Sequence, residues 1–208
     1  MTNPDTFSPP LKSRVVLIDG LIFQFYRGAP NGISRVWLNL IPCFQKSLED
    51  CSIVLLKRGQ YSSGLQGIQE YPIQEYDFSD PTGGDGDTEK LSRLVRELKP
   101  VCFMSTYYSR AEGCPNILLI HDMIPEVMQE DLSKPAWVAK KKAVAGASAF
   151  ITVSDSTRRD LQKYYAVGQR TVKTAHNGIS PGFQPAARVT VSRFLAAKGI
   201  SGDYILLV

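Results

Sequence analysis

An α/β chain with a parallel sheet covered by helices on both faces is predicted here, and three observations predict it. Short apolar, β-rich runs alternate with helical patterns along almost the whole sequence. Most of those runs are apolar along their length, as strands buried under helices are. The apolar and charged fractions, 43% and 21%, are those of an ordinary globular protein, and 208 residues suffice for a sizeable core.

The elements follow in order. Residues 14–19 (RVVLID) form the first strand. A loop with Gly28, Pro30 and Gly32 leads into a helix over residues 33–48. There Ile33, Val36, Trp37, Leu40, Ile41, Phe44 and Leu48 recur at helical spacing on one face. Residues 52–56 are a second strand and 67–73 a weaker third. Residues 80–87 carry three glycines and read as a loop and helix start that cannot hold a packed element. The helix runs to Leu98 and stops at Pro100. Strands over 101–105 and 116–120, a helix over 135–147 and a strand over 149–153 come next. Ser154, Asp155 and Ser156 supply N-cap residues for a helix to about Tyr165. Residues 171–175 are strand-like, and Asn177-Gly178 breaks them. Beyond Pro185 a short helix over 189–198 precedes an apolar run at 204–208. That run reads as the first strand of a second domain, or as an edge strand of this sheet. The expected organisation is a flexible N-terminus (1–13), one domain (14–185), and a linker, short helix and first strand of a second domain (186–208).

The net charge of +4 is mild, and no basic stripe interleaved with aromatics is present, so nucleic acid is not an expected partner. The Lys140-Lys141-Lys142 cluster, with Arg158, Arg159 and Lys163, reads as the solvated face of two helices. Its alternative use is docking to an anionic membrane surface. Cys43, Cys51, Cys102 and Cys114 fit neither a zinc site nor a disulfide framework, and Cys102 reads as a buried thiol. Reduced cysteines and a polar start without an apolar h-region give a cytoplasmic expectation. No window has the ~20 apolar residues of a membrane span.

Four places carry candidate chemistry. The Gly28–Gly32 turn lies between the first strand and its helix, where backbone N–H groups favour anions. Arg35, one turn into the helix, could reach a phosphate or lie on the surface. The turn is neither a dinucleotide fingerprint nor a P-loop. Thr106, Tyr107, Tyr108 and Arg110 follow a strand and offer hydroxyls, aromatic faces and a guanidinium, as a carbohydrate surface does; ordinary packing explains them equally. Ser154 and its neighbours either cap a helix or hold a ligand. His121 ends the apolar run Asn116–Ile120, where ligands bind in open parallel sheets. Asp122 either accepts from its imidazole or caps the following turn. No hydrolase triad or metal-ligand spacing occurs.

In series, Asn31-Gly32-Ile33-Ser34-Arg35, Ser105-Thr106-Tyr107-Tyr108, Ile120-His121-Asp122-Met123-Ile124-Pro125-Glu126, Ile151 to Leu161, and Asn177-Gly178-Ile179 with Phe183 and Pro185 resemble the motifs of GT-B glycosyltransferases of family 4. The resemblance covers residues 14–208. It implies a Rossmann-like N-terminal half of a GT-B fold, holding most of the acceptor site. The partner domain that holds the nucleotide sugar is absent from this sequence. It implies a retaining, metal-free and cofactor-free sugar transfer of hexosyltransferase type. The donor would be a nucleotide sugar, and the acceptor a glycan or lipid-linked glycan, in surface or exopolysaccharide biosynthesis.

Carried over, His121 is the catalytic contact to the transferred sugar. Asn31, Gly32, Arg35, Ser154, Asn177 and Gly178 line the donor-phosphate side of the cleft. Thr106, Tyr107, Tyr108, Arg110 and Asp122 line the acceptor side. The family often has glycine where Asn31 stands. Localisation would be cytoplasmic, with peripheral contact to the inner membrane face as an option, and the chain alone would be inactive. A non-catalytic carbohydrate-binding or interaction domain on the same fold is the competing class. An oxidoreductase is disfavoured by the missing glycine fingerprint.

Overall fold

The computed structural model describes residues 10–25, 31–60, 63–179 and 182–205. Gly28 and Pro30 of the expected first loop, Met1 to Pro9, and Leu206 to Val208 lie outside them. The chain divides into two compact units, one ending at Asn177 and one opening at Gly178.

The first unit is built on β1 (Arg14–Asp19), β2 (Cys51–Arg58), β3 (Gln69–Ile73), β4 (Cys102–Ser105), β5 (Asn116–Ile120), β6 (Ala149–Thr152) and β7 (Thr171–Thr174). They form one seven-stranded sheet in the order β3-β2-β1-β4-β5-β6-β7, parallel throughout. Pro72 lies in β3, which pairs only with β2; an edge strand tolerates its missing N–H. The strand order reverses between β1 and β4. The crevice beyond their carboxyl ends is where such sheets take ligands.

Side chains of β1 alternate between the faces. Val16 and Ile18 pack with Trp37 and Ile41 of α2 (Gly32–Ser47). Val15 and Leu17 pack with Leu91 and Val95 of α3 (Asp85–Leu98). Leu118, Ile120 and Phe150 pack with Ala143 and Val144 of α5 (Pro135–Gly146) and Leu161 of α6 (Asp155–Tyr164). The α/β architecture with helices on both faces is therefore as the sequence predicts. Two four-residue helices, α1 (Leu21–Gln24) and α4 (Ile124–Val127), go beyond it. The second unit contains α7 (Arg188–Ala197). Tyr204 and Ile205 have no regular structure.

Three expectations are corrected. The glycine-rich loop before α3 is packed: Gly83 and Gly84 are buried with positive φ. A Cβ on Gly83 would lie 2.6 Å from the Ala139 backbone nitrogen, so the glycine permits α5 to approach the loop. Lys140, read as solvated, is 0% exposed. Consecutive helical residues point about 100° apart, so three adjacent lysines cannot share a face. Only Lys141 of the three is fully exposed, and Lys142 pairs with Asp85. Cys102 is half-buried; Cys51 is the buried thiol.

Candidate active site

The carboxyl ends of β1 and β4 meet in a buried polar cluster. Asp19 ends β1 with a fully buried carboxylate. The Arg58 guanidinium, at the end of β2, donates to both its oxygens, through Nε at 2.9 Å and Nη2 at 2.7 Å. The same guanidinium donates to Asp87 in the first turn of α3 at 2.7 and 2.8 Å and to the Gln74 carbonyl at 3.3 Å. Every N–H of Arg58 thus has an acceptor. Burial opposes its charge, but the two carboxylates overrule burial and raise its pKa. Ser109 Oγ also donates to Asp19 and shares a 2.7 Å hydrogen bond with Ser105. Thr106, buried, donates to the Asp19 carbonyl at 2.7 Å and accepts from Ile22 N–H at 2.9 Å.

One strand further on, His121 follows β5 directly. Its carbonyl accepts from Thr157 Oγ1 at 3.3 Å, and Thr157 Oγ1 lies 3.0 Å from Ser154 Oγ. Ser154 itself caps α6, accepting from Thr157 N–H at 3.0 Å. The imidazole Nε2 is buried with no hydrogen-bond partner. Burial lowers the His121 pKa from its usual 6.5, against the opposing charge of Asp122. Asp122 Oδ1 accepts from Ile124 N–H at 3.0 Å, so Asp122 caps the turn into α4. That charge also reaches Tyr107 and Tyr108, whose hydroxyls burial has already raised.

Beneath α4 lies a second buried ion pair. Lys140 Nζ is 2.7 Å from Glu126 Oε2, and Tyr165 donates to Glu126 Oε1 at 2.7 Å. Lys140 also donates to the Asp122 carbonyl at 3.3 Å and lies over the Tyr108 and Trp137 rings. Lys140 and Glu126 thereby set the loop that carries His121 and Asp122.

The expected residues fall into two groups. His121, Asp122, Tyr107, Tyr108 and Ser154 converge at the ends of β4, β5 and β6. Thr106 and Arg110 are held by partners within the fold. Thr106 is consumed between β1 and α1, and Arg110 pairs with Asp85 and the Gly83 carbonyl. Asn31 caps α2, accepting from Ser34 N–H at 2.8 Å. Gly32 opens that helix, where a Cβ would meet nothing within 4 Å. Arg35 is exposed one turn later. Asn177 closes the first unit and Gly178 opens the second, both exposed. The Asp19–Arg58–Asp87 and Glu126–Lys140–Tyr165 clusters were not expected. A sequence signal existed for Lys140: it shares the apolar stripe of Ala139, Ala143 and Val144. Among the described residues no group of three or more His, Cys, Asp or Glu could hold a metal ion.

The sequence model of Glycosyltransferase Family 4 matches residues 30–183. The chain belongs to glycosyltransferase family 4. Its sheet and helices match the N-terminal domain of GT-B glycosyltransferases. HepE of Anabaena, crystallised with UDP and glucose, superposes with a TM-score of 0.57 at 15% identity. The alignment covers 89% of this chain and 50% of HepE. The lipopolysaccharide outer core galactosyltransferase WaaB, in its apo form, gives 0.55 at 11% identity, covering 84% of this chain and 49% of WaaB. This family 4 chain therefore spans about half the length of these solved structures. No curated protein sequence matches it significantly. No helix among its described residues is long and apolar enough to cross a membrane.

The state of His121 is directly measurable. Its depressed pKa means the folded chain resists a proton that the unfolded chain accepts. Its contribution to stability is therefore present above about pH 6.5 and is lost as pH falls through the folded midpoint. An NMR titration of the His121 ring should give a midpoint below 6.5, and His121→Asn should flatten the stability slope in that window.

Proposed function

We propose that this chain is the acceptor-side domain of a retaining glycosyltransferase. It passes a hexose from a nucleotide sugar to a hydroxyl of a glycan or lipid-linked glycan, in surface or exopolysaccharide biosynthesis, without a metal or cofactor. The observation that carries the reading is the buried, unpartnered Nε2 of a neutral His121 at the carboxyl end of β5. A buried polar atom without a partner costs free energy unless a ligand supplies one, and a sugar hydroxyl does so. Family membership and the UDP and glucose bound to HepE support the donor class.

In the transfer, the bond from the anomeric carbon to the diphosphate oxygen breaks and the bond to the acceptor oxygen forms. The acceptor's proton ends on the diphosphate. His121 touches the sugar as it develops oxocarbenium character. The N–H groups at the start of α2, with Gly32 leaving room and Arg35 nearby, stabilise the leaving diphosphate. Asn31 acts there through its cap, and Ser154 through the α6 cap. Tyr107 and Asp122 face the acceptor with buried Tyr108 packed behind them, and positioning matters as much as acid–base work. The 208 residues alone should not turn over. The protein made from the whole gene should transfer sugar, and His121→Ala should abolish most of that transfer. Undiminished transfer by the variant would sink the role.

A further inference from the structure

We infer that three loops at the carboxyl edge of the sheet build an aromatic platform for a neutral saccharide ring of the acceptor. This rests on the proposed sugar-transfer reading and adds the class of acceptor. The rings run in an unbroken row. Tyr76 lies 5.0 Å from Phe78, Phe78 lies 4.1 Å from Phe25, Phe25 lies 5.6 Å from Tyr107, and Tyr107 lies 4.3 Å from Tyr108. Tyr76 and Tyr108, 8% and 7% exposed, anchor its ends; Phe25, 46% exposed, presents its ring to solvent between half-buried Phe78 and Tyr107.

The row is braced. Gln24 Nε2 donates to the Tyr76 carbonyl and Gln24 Oε1 accepts from Tyr76 N–H, both at 2.8 Å. That pair of hydrogen bonds ties the loop after β3 to α1, so Phe25 and Phe78 are held in register. An exposed aromatic group costs hydration free energy, and this one is fixed by its neighbours. At the far end of the row, Asp122 lies close enough for its charge to raise Tyr107 and Tyr108. The platform therefore adjoins the His121 loop.

Charge selects the occupant. Among the described residues, Asp77 and Asp80 flank Phe78 and Asp122 adjoins Tyr107, while the cations against the two end rings are consumed: Arg58, beside Tyr76, pairs with Asp19 and Asp87, and Lys140, over Tyr108, pairs with Glu126. Carboxylates around the rings repel phosphate and anionic lipid headgroups. A pyranose offers a flat apolar face to the rings and hydroxyls to the carboxylates, and it carries no charge.

The test is saturation-transfer NMR of this chain with cellobiose, maltose and lactose, beside sedimentation with phosphatidylglycerol vesicles. At least one disaccharide should receive saturation from the wild-type chain. Phe25→Ala should weaken its binding about tenfold. Phe25→Trp, which keeps a ring, and Met128→Ala, an exposed apolar residue outside the row, should leave it near the wild-type value. Silence from all three disaccharides, binding unchanged in Phe25→Ala, or Phe25-dependent sedimentation with the vesicles would each overturn the inference. Failure of the transfer reading shows separately: a whole-gene protein that transfers nothing while this chain still binds sugar through Phe25 would remove the enzyme and leave the platform.

Discussion

Replacing Arg58 with methionine is expected to destabilise the first unit by about 3–5 kcal/mol, because it leaves Asp19 as a buried charge without a partner. The Arg58 and Asp19 side chains are 1% and 0% exposed, so water cannot take the guanidinium's place. The loss is a large part of the roughly 5–15 kcal/mol that holds a typical domain. Arg58→Lys should not rescue it. A lysine can approach one carboxylate as a point charge but cannot reproduce the fork that grips Asp19 and Asp87 together. Asp87→Asn should be milder, since that side chain is 17% exposed and still offers an oxygen. Urea unfolding followed by circular dichroism would rank the three. An Arg58→Met unfolding free energy within about 1 kcal/mol of the wild-type value would show that the cluster is dispensable. The cluster joins the ends of β1 and β2 and the start of α3 at the point where strand order reverses. Its loss should therefore also loosen the loop that carries Phe25.

Much of this architecture is legible from periodicity. Five of the seven strands are short apolar runs, the outer β3 and β7 carry a weaker pattern, and α2 is an apolar stripe of 3.6-residue period, all one-dimensional signals. The family motifs place His121 at a strand end by the same means. What escapes is what depends on direction. Thr106 and Tyr107 are neighbours in sequence, yet one side chain is consumed by the backbone between β1 and α1 and the other faces the aromatic row. Nothing in the order of residues tells them apart. Arg110 pairs with Asp85, twenty-five positions earlier, across a packed glycine loop that composition alone makes look loose. Arg58 and Asp19 are each a charge closing an apolar strand, which reads as a strand stop. Only the parallel pairing of β1 with β2 makes them partners. The helices α1 and α4 are too short to show a period.

Lys140 and Glu126 give the second large expectation. Glu126→Gln strands a lysine ammonium that is 0% exposed, and Lys140→Met strands a carboxylate that keeps only the Tyr165 hydroxyl. Each single change should cost about 3–5 kcal/mol, while the double variant, with no buried charge left, should recover much of the loss. A functional reading accompanies the stability one. Lys140 donates to the Asp122 carbonyl, so its loss frees the loop that holds His121 under cover. Burial is the larger cause of the lowered His121 pKa, with Asp122 acting against it. A loosened loop admits water and removes that cause, so the midpoint should climb toward 6.5 in Lys140→Met. Ring titration of the variant by NMR reads the shift directly. A stability loss with an unmoved midpoint would mean that the ion pair supports the fold but not the His121 loop. Single variants as stable as the wild-type chain would mean that it supports neither. A raised midpoint in a chain that remains folded would tie the buried lysine to the protonation state of His121.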